Sequence, residues 1–371
     1  MIFSGTPAPT GKLSKRVLFG FALALSSWAH SGVLEPVAYA DQNGKYNPCS
    51  GLENPLRSAE QALTRGDAVE AERLLLFLQS SRPACGEVLA GLARVRAVQK
   101  DVDAAQQLFL RAIALSPDDP QMYFYFAQFS FDQGEYGRAY DLLDKALILK
   151  SDYPEALILK GQMLAMKGEP GAARKTLEEA CRIASKNAEA HFQLGILFDN
   201  SKLNREAVEQ FRISVALRPL DPRAYDYLGL NLEALGETQE AAKTYKSGLV
   251  VNKGPLFDYF LDYNYGRFLL KERRLQESKV HLDRAVSLAP ETRAVYYERG
   301  KLNLILGDYQ QARRDAEQAS RLQDPSGFVL DLQVYYLLAT VYSRLGEHEL
   351  ARQYAELSKT ATIPIQDRAR N

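Results

Sequence analysis

The chain has few of the residues that build metal or redox centres: three cysteines and four histidines among 371 residues. Beyond residue 40 the histidines are His191, His281 and His348, and none has a second ligand at the spacing of a metal motif. A glycine-rich phosphate loop and a serine nucleophile elbow are also missing. The sequence therefore predicts a protein that is not an enzyme and that has no cofactor and no metal.

An excess of charge of either sign is missing too. Forty-six basic and 46 acidic residues give a formal net charge of zero. A protein that binds nucleic acid needs a basic stripe to meet the phosphates. The balance predicts no nucleic-acid partner, and most charged residues are expected on solvated helix faces.

Long apolar stretches are scarce. Residues 17–25 form an apolar run of nine, which is short of the roughly 20 residues of a membrane-spanning helix. Basic residues precede the run at positions 12–16, and Ala38-Tyr39-Ala40 gives a small-x-small cleavage pattern before Asp41. This order predicts a signal peptide over residues 1–40 and a secreted or periplasmic mature protein. An uncleaved N-terminal anchor, which would be the only membrane contact, and a disordered leader are the alternatives.

Small residues recur at a fixed interval through the rest of the chain. The first six lie 34 residues apart, and the next steps are 37, 34 and 39 residues. These marker residues are Ala59, Ala93, Ala127, Gly161, Gly195, Gly229, Gly266, Gly300 and Ala339. A period of this length is typical of stacked repeats, in which function resides in a surface rather than in a catalytic pocket.

Each period has the pattern of two helices joined by a turn. A second small residue stands twelve residues after the marker, as at Ala105 and Ala241, and matched small residues let antiparallel helices approach closely. In six periods a glycine stands seven residues after the marker, where it can end a helix in the left-handed conformation. These glycines are Gly66, Gly134, Gly168, Gly236, Gly307 and Gly346.

This pattern resembles the tetratricopeptide repeat, whose 34-residue unit reads Trp-x2-Leu-Gly-x2-Tyr followed by Ala, an aromatic residue and Pro. The best match is Tyr-Asp-Tyr-Leu-Gly at residues 225–229, continued by Leu232, Ala241 and Tyr245, with Asn252 near the place of the closing proline. Nine copies in register make the resemblance specific although each copy alone is weak. A 35-residue helical repeat that reads RNA is the alternative, but it would carry a basic face.

The resemblance implies an all-α fold, a right-handed α-solenoid of about nine helix-turn-helix units over residues 52–362. The other expected segments are the signal peptide at 1–40, an N-terminal extension at 41–51 and a C-terminal tail at 363–371. The single tryptophan of the chain, Trp28, lies in the leader.

The family geometry also implies a concave groove lined by the first helix of each unit. Residues three before and one or five after the marker point into it. In the last three repeats these positions hold tyrosines and cations, a combination common in binding hot spots. The predicted partner-binding residues are Tyr263, Arg267, Lys271, Tyr297, Lys301, Tyr336 and Arg344. Their ligand is expected to be acidic or to carry a carboxylate; the alternative is that the tyrosines pack sideways between repeats.

The inner face of the N-terminal repeats offers Glu53, Glu60 and Glu87 instead. We expect these carboxylates to form a solvated face rather than a site.

Two cysteines precede the first helices of successive repeats. Equivalent atoms of packed neighbouring repeats lie about 10 Å apart, whereas a disulfide needs Cα atoms within about 7 Å. A bend at residues 48–51 would close this gap, so a Cys49–Cys85 disulfide and two free thiols both stay open. Cys181 is expected to be a packing residue.

Taken together, the sequence predicts a non-enzymatic scaffold that binds an extended segment of another protein or peptide in an extracytoplasmic compartment. A structural or assembly role in envelope or polymer-export machinery, with the convex face in use, is one alternative. A carbohydrate-binding module is another, because tyrosine and arginine also suit sugars.

Overall fold

The computed structural model describes residues 47–253, 257–324 and 327–361, and the secondary structure in these ranges is helical. The helices there number 18 and pair as nine successive units. They are α1 Glu53–Thr64, α2 Ala68–Ser81, α3 Gly86–Val98, α4 Val102–Leu115, α5 Pro120–Asp132, α6 Tyr136–Leu149, α7 Pro154–Met166, α8 Pro170–Ile183, α9 Ala188–Asn200, α10 Asn204–Leu217, α11 Pro222–Ala234, α12 Thr238–Val251, α13 Phe260–Lys271, α14 Leu275–Leu288, α15 Arg293–Leu306, α16 Tyr309–Arg321, α17 Asp331–Leu345 and α18 His348–Thr360. The predicted all-α repeat fold is confirmed.

Local sequence fixes where many of these helices begin. Asp119 and Asp221 each accept a hydrogen bond from a backbone N–H of the helix that follows, which satisfies one of its free N-terminal donors. Pro120 and Pro222 come next, and a proline at the first helical position loses no hydrogen bond. An acidic cap followed by proline therefore starts α5 and α11.

The marker residues are small because the second helix of the same unit presses against them. A Cβ on Gly229 would lie 2.6 Å from Cε1 of Tyr245, and a Cβ on Gly195 would lie 2.6 Å from Cε1 of Phe211. Both rings are fully buried. Gly161 and Gly266 meet Leu177 and Leu282 in the same way, so in these four units the marker lies where the paired helices approach closely.

The turn inside each unit uses one residue in the left-handed region. All six predicted turn glycines have φ between 77° and 82°, so this prediction is confirmed. The three units without a glycine place Lys100, Lys202 and Arg273 there, with φ of 62°, 61° and 58°. Because a side chain is disfavoured in this conformation, the packing of the helix pair imposes the turn.

The two longer steps of the period fall between units. The extra residues of the 37-residue step lie between α12 and α13, and those of the 39-residue step lie between α16 and α17. In the first connection the Asn252 side chain donates to the Asp258 carbonyl at 2.6 Å and accepts from the Asp258 N–H at 2.7 Å. Each insertion therefore leaves both flanking helix pairs intact.

The structure joins Cys49 to Cys85, with their Cα atoms 4.9 Å apart. Residues 48–51 form a turn just before α1, and this turn brings Cys49 closer to Cys85 than the spacing of equivalent residues on neighbouring repeats. Both cysteines are buried. Cys181 is a free, half-buried thiol whose pKa is raised to about 11 by burial.

The helices run from Glu53 to Thr360, inside the range predicted for the repeats. The predicted signal peptide and C-terminal tail lie outside the described residues, and so do residues 41–46 of the predicted N-terminal extension. No helix in the described ranges is both long enough and apolar enough to cross a membrane.

Candidate functional site

The first helices form one continuous surface, which we call the groove (α1, α3, α5, α7, α9, α11, α13, α15 and α17). Each first helix contacts the first helix of the next unit, from α1 with α3 to α15 with α17. Within the described residues the second helices form no comparable row. Successive first helices contact one another, whereas successive second helices in the described ranges do not form such a row. The first helices therefore lie on the inner side of the curve and the second helices on the outer side.

The three predicted tyrosines differ in how far they reach the groove surface. Tyr263 packs against the buried residues of neighbouring units, and burial raises the pKa of its hydroxyl. Tyr297 is half-buried, whereas the side chain of Tyr336 is 69% exposed. Tyr263 is therefore mainly a packing residue, and Tyr297 and Tyr336 offer surface to a partner.

Three of the four predicted cations already have carboxylate partners. Arg267 and Lys271 both contact Glu233, at 2.8 Å and 3.2 Å, although Glu233 belongs to the preceding repeat. Lys301 contacts Glu298 at 2.8 Å, and its Nζ lies 5.2 Å from the centroid of the Tyr297 ring. An acidic ligand would have to compete with Glu233 and Glu298 for these cations.

Arg344 differs from the other three cations. It is exposed at the end of α17, and no ion pair reaches it from the described part of the chain. His348 and Arg352 line the same surface depression. Of the four predicted cations, Arg344 on the last unit is therefore the one that remains available to a partner.

Buried polar residues occupy the middle of the groove. Asp226 stands three residues before its marker, where other repeats carry apolar or aromatic side chains, and it is only 3% exposed. Its Oδ2 accepts from Nδ2 of Asn264 at 2.8 Å, while Oδ1 has no partner among the described residues. Burial and the nearby carboxylate of Asp258 raise the pKa of Asp226. This arrangement favours a protonated carboxyl group inside the protein.

The structure brings the three N-terminal carboxylates together: Glu53 is exposed, as the sequence predicted, whereas Glu60 and Glu87 are half-buried. They surround a cavity of about 260 Å³ in the groove, which we call the acidic pocket. Its main lining residues are Glu53, Glu60, Glu87, Leu75, Gly91 and Tyr125. The sequence carried one signal for this pocket, a glycine at position 91 where the other first helices carry larger residues.

The described residues contain no group of three or more His, Cys, Asp or Glu side chains that could hold a metal ion. The histidines lie in separate surroundings. His191 contacts Gln210 at 2.8 Å, and His281 contacts Asp262 at 2.8 Å.

Family models match several parts of the chain. The model described as "Tetratricopeptide repeat" matches residues 56–120, 192–250, 263–328 and 297–363, which together exceed half of the chain. The model described as "Anaphase-promoting complex, cyclosome, subunit 3" matches residues 98–180. None of the curated proteins compared with the chain matches it in sequence.

Solved structures share the fold at low sequence identity. A chain of the APC/C hetero-tetramer Cut9-Hcn1 is 15% identical with a TM-score of 0.60, and the match covers 73% of this chain and 54% of that one. Human IFIT1 with PPP-AAAA is 17% identical with a TM-score of 0.55, covering 85% and 73%. Pseudomonas aeruginosa pilF is 19% identical with a TM-score of 0.50, covering 54% and 90%. The chain thus spans about half of the Cut9-Hcn1 chain that it resembles, and these likenesses concern the fold alone.

Proposed function

The chain belongs to the tetratricopeptide repeat family, and from this membership we propose that it is a non-enzymatic scaffold that binds an extended segment of a partner protein along the groove. The observation that carries the proposal is the recurrence of tyrosine at one groove position, with Tyr297 half-buried and Tyr336 69% exposed. Such rings offer large rigid apolar area with a polar tip, which binding hot spots favour.

The proposed partner is a protein rather than a nucleic acid. The chain has no net charge, and the carboxylates of Glu233 and Glu298 engage three of the groove's cations. A preference for an acidic ligand is therefore proposed only for the last unit, where Arg344 is exposed.

We further propose that the scaffold works outside the cytoplasm. Two features support this location: the order of basic, apolar and small residues before Asp41, and the pairing of Cys49 with Cys85, since disulfides persist in oxidising compartments. N-terminal sequencing of the natively expressed protein should begin at Asp41. A sequence that begins at Met1 or Ile2 would remove the secretory interpretation.

The groove is tested with peptides selected from a random 12-residue display library against the oxidised protein. Tyr297→Ala and Tyr336→Ala should each weaken the binding of an enriched peptide by about 1–3 kcal/mol, as hot-spot truncations do. The matched control is Tyr136→Ala on the second helix α6, where the ring is 50% exposed. Fluorescence anisotropy measures the affinity, and circular dichroism checks that the melting temperature is unchanged.

The second candidate is an assembly role through the second helices. Phe77 on α2 and Ile148 on α6 are 70% and 82% exposed, and exposed apolar side chains of this size often mark contact surfaces. This alternative would be favoured by enriched peptides whose affinity is unchanged by Tyr297→Ala and Tyr336→Ala. The same peptides would have to lose affinity for a Phe77→Ser or Ile148→Ser protein.

A further inference from the structure

The acidic pocket has an apolar floor that exists because residue 91 is glycine. A Cβ there would lie 2.8 Å from Cδ2 of Leu75, so any larger residue would fill the space above that side chain. The corresponding residues of the other first helices are Arg57, Tyr125, Leu159, Gln193, Tyr227, Asn264, Glu298 and Leu337. Among the nine described first helices, α3 alone has glycine at this position, and it opens the groove wall down to Leu75 on α2, the second helix of the preceding unit.

The pocket places a carboxylate without a partner above this floor. Glu87 is half-buried, and no hydrogen bond or ion pair reaches its side chain from the described residues. Burial, with Asp119 and Glu53 close by, raises the pKa of Glu87. A desolvated carboxylate without a counter-ion is costly, and a cation in the pocket would relieve that cost.

The arginines of the pocket do not supply this cation. Arg94 pairs with Glu60, donating at 3.1 Å to Oε1, and its Cζ lies 4.5 Å from the centroid of the Tyr125 ring. Gln121 holds that ring by donating to the Tyr125 hydroxyl at 2.7 Å. Arg57 is exposed to solvent at the pocket edge. Arg94 and Tyr125 thus form a flat wall, and Glu87 stays unpaired.

The size of the pocket suits one side chain. Its volume is about 260 Å³, below the roughly 300–1,000 Å³ of pockets that hold whole small molecules. A lysine presents a flexible aliphatic stem and a compact ammonium group. The stem matches the Leu75 floor, and the ammonium group matches the carboxylates of Glu53 and Glu87.

We propose that the acidic pocket binds a lysine side chain of the extended partner segment that lies in the groove. This inference rests on the proposed function, because the lysine must be presented by a segment running along the first helices. It assigns the lysine to the first three units, away from the tyrosines of α15 and α17.

The test uses the oxidised full chain and two capped pentapeptides, acetyl-Gly-Ser-Lys-Ser-Gly-amide and the same peptide with norleucine in place of lysine. Norleucine keeps the stem and lacks the charge. Ligand-observed saturation-transfer NMR should show at least tenfold tighter binding of the lysine peptide. Glu87→Gln should remove most of that difference, and Gly91→Ala should weaken both peptides because it fills the floor.

The matched control is Glu155→Gln, which changes the same register position on α7 outside the pocket. It should leave both affinities unchanged. Equal binding of the two peptides, or an equal loss with Glu87→Gln and Glu155→Gln, would overturn the assignment of lysine. Neither peptide needs Tyr297 or Tyr336, so the tyrosine variants still decide the proposed function separately.

Discussion

Replacing two marker glycines by alanine should have opposite effects on stability. At Gly229 the new methyl group would lie 2.6–2.8 Å from three atoms of the Tyr245 ring. That ring is fully buried and stacks near Tyr265 and Phe268, with centroids 5.5 Å and 5.6 Å away, so it has little room to move. Overpacking of this kind costs about 1–3 kcal/mol, while alanine regains about 1 kcal/mol of helix propensity. The expected net effect is a loss of up to about 2 kcal/mol.

At Gly300 the gain in helix propensity should be at least as large as the packing cost of the methyl group. The nearest atom to a new methyl group is Cδ2 at the end of the Leu337 side chain, at 3.1 Å, and the next is Cβ of Asp315 at 3.4 Å. The residue sixteen positions later is Ala316, which leaves space. Gly300→Ala should therefore be neutral or stabilising by up to about 1 kcal/mol. The two variants should differ by about 2 kcal/mol.

Urea unfolding followed by circular dichroism at 222 nm measures this difference. Because repeat proteins can unfold in stages, hydrogen exchange of the amides in α11 and α12 should accompany it. Adding Tyr245→Leu to Gly229→Ala recreates the Ala59 and Leu75 pairing of the first unit and should recover part of the loss. A Gly229→Ala protein at least as stable as Gly300→Ala would refute the explanation of the period.

Three further outcomes are expected. The unreduced, unfolded protein should show one thiol and the reduced protein three, and loss of the Cys49–Cys85 bridge, 36 residues apart, should cost about 4 kcal/mol in the chain-entropy model; three thiols under both conditions would contradict the pairing. The pKa of Asp226 is raised in the folded state, so stability should fall as pH rises above about 4, the unfolded value. Asp226→Asn should stabilise the protein at pH 7 with a smaller gain at pH 4, and pH-dependent urea titrations that match the wild type would be inconsistent with a buried carboxyl. Lys202→Gly should gain about 0.5–1 kcal/mol, because glycine avoids the cost of the left-handed turn, and Lys175→Gly within α8 should instead lose stability in the same thermal melts.

The repeat architecture was predictable because its signals are local. Gly134 and Gly236 predict turns that depend on the backbone of one residue, and markers such as Gly195 and Gly229 lie where the two helices of a unit approach closely. Which groove side chains are exposed and unpaired could not be predicted, because this depends on contacts between units. Glu233 pairs with Arg267 from the preceding repeat, and Tyr263 is covered by clusters that include residues of the following unit, such as Val295 and Leu302. For the acidic pocket, the glycine at position 91 is visible in the sequence as a departure from the repeat pattern. The missing partner of Glu87 depends on contacts between units and is not visible there.

The most direct test of groove binding is a hydroxyl-radical footprint of the protein with and without an enriched peptide, read by mass spectrometry of the tyrosines. Groove binding predicts that oxidation of Tyr297 and Tyr336 falls severalfold in the complex while Tyr136 on α6 reacts at the same rate. Protection of Tyr136 with full reactivity at Tyr336 would contradict the account and place the partner on the second helices.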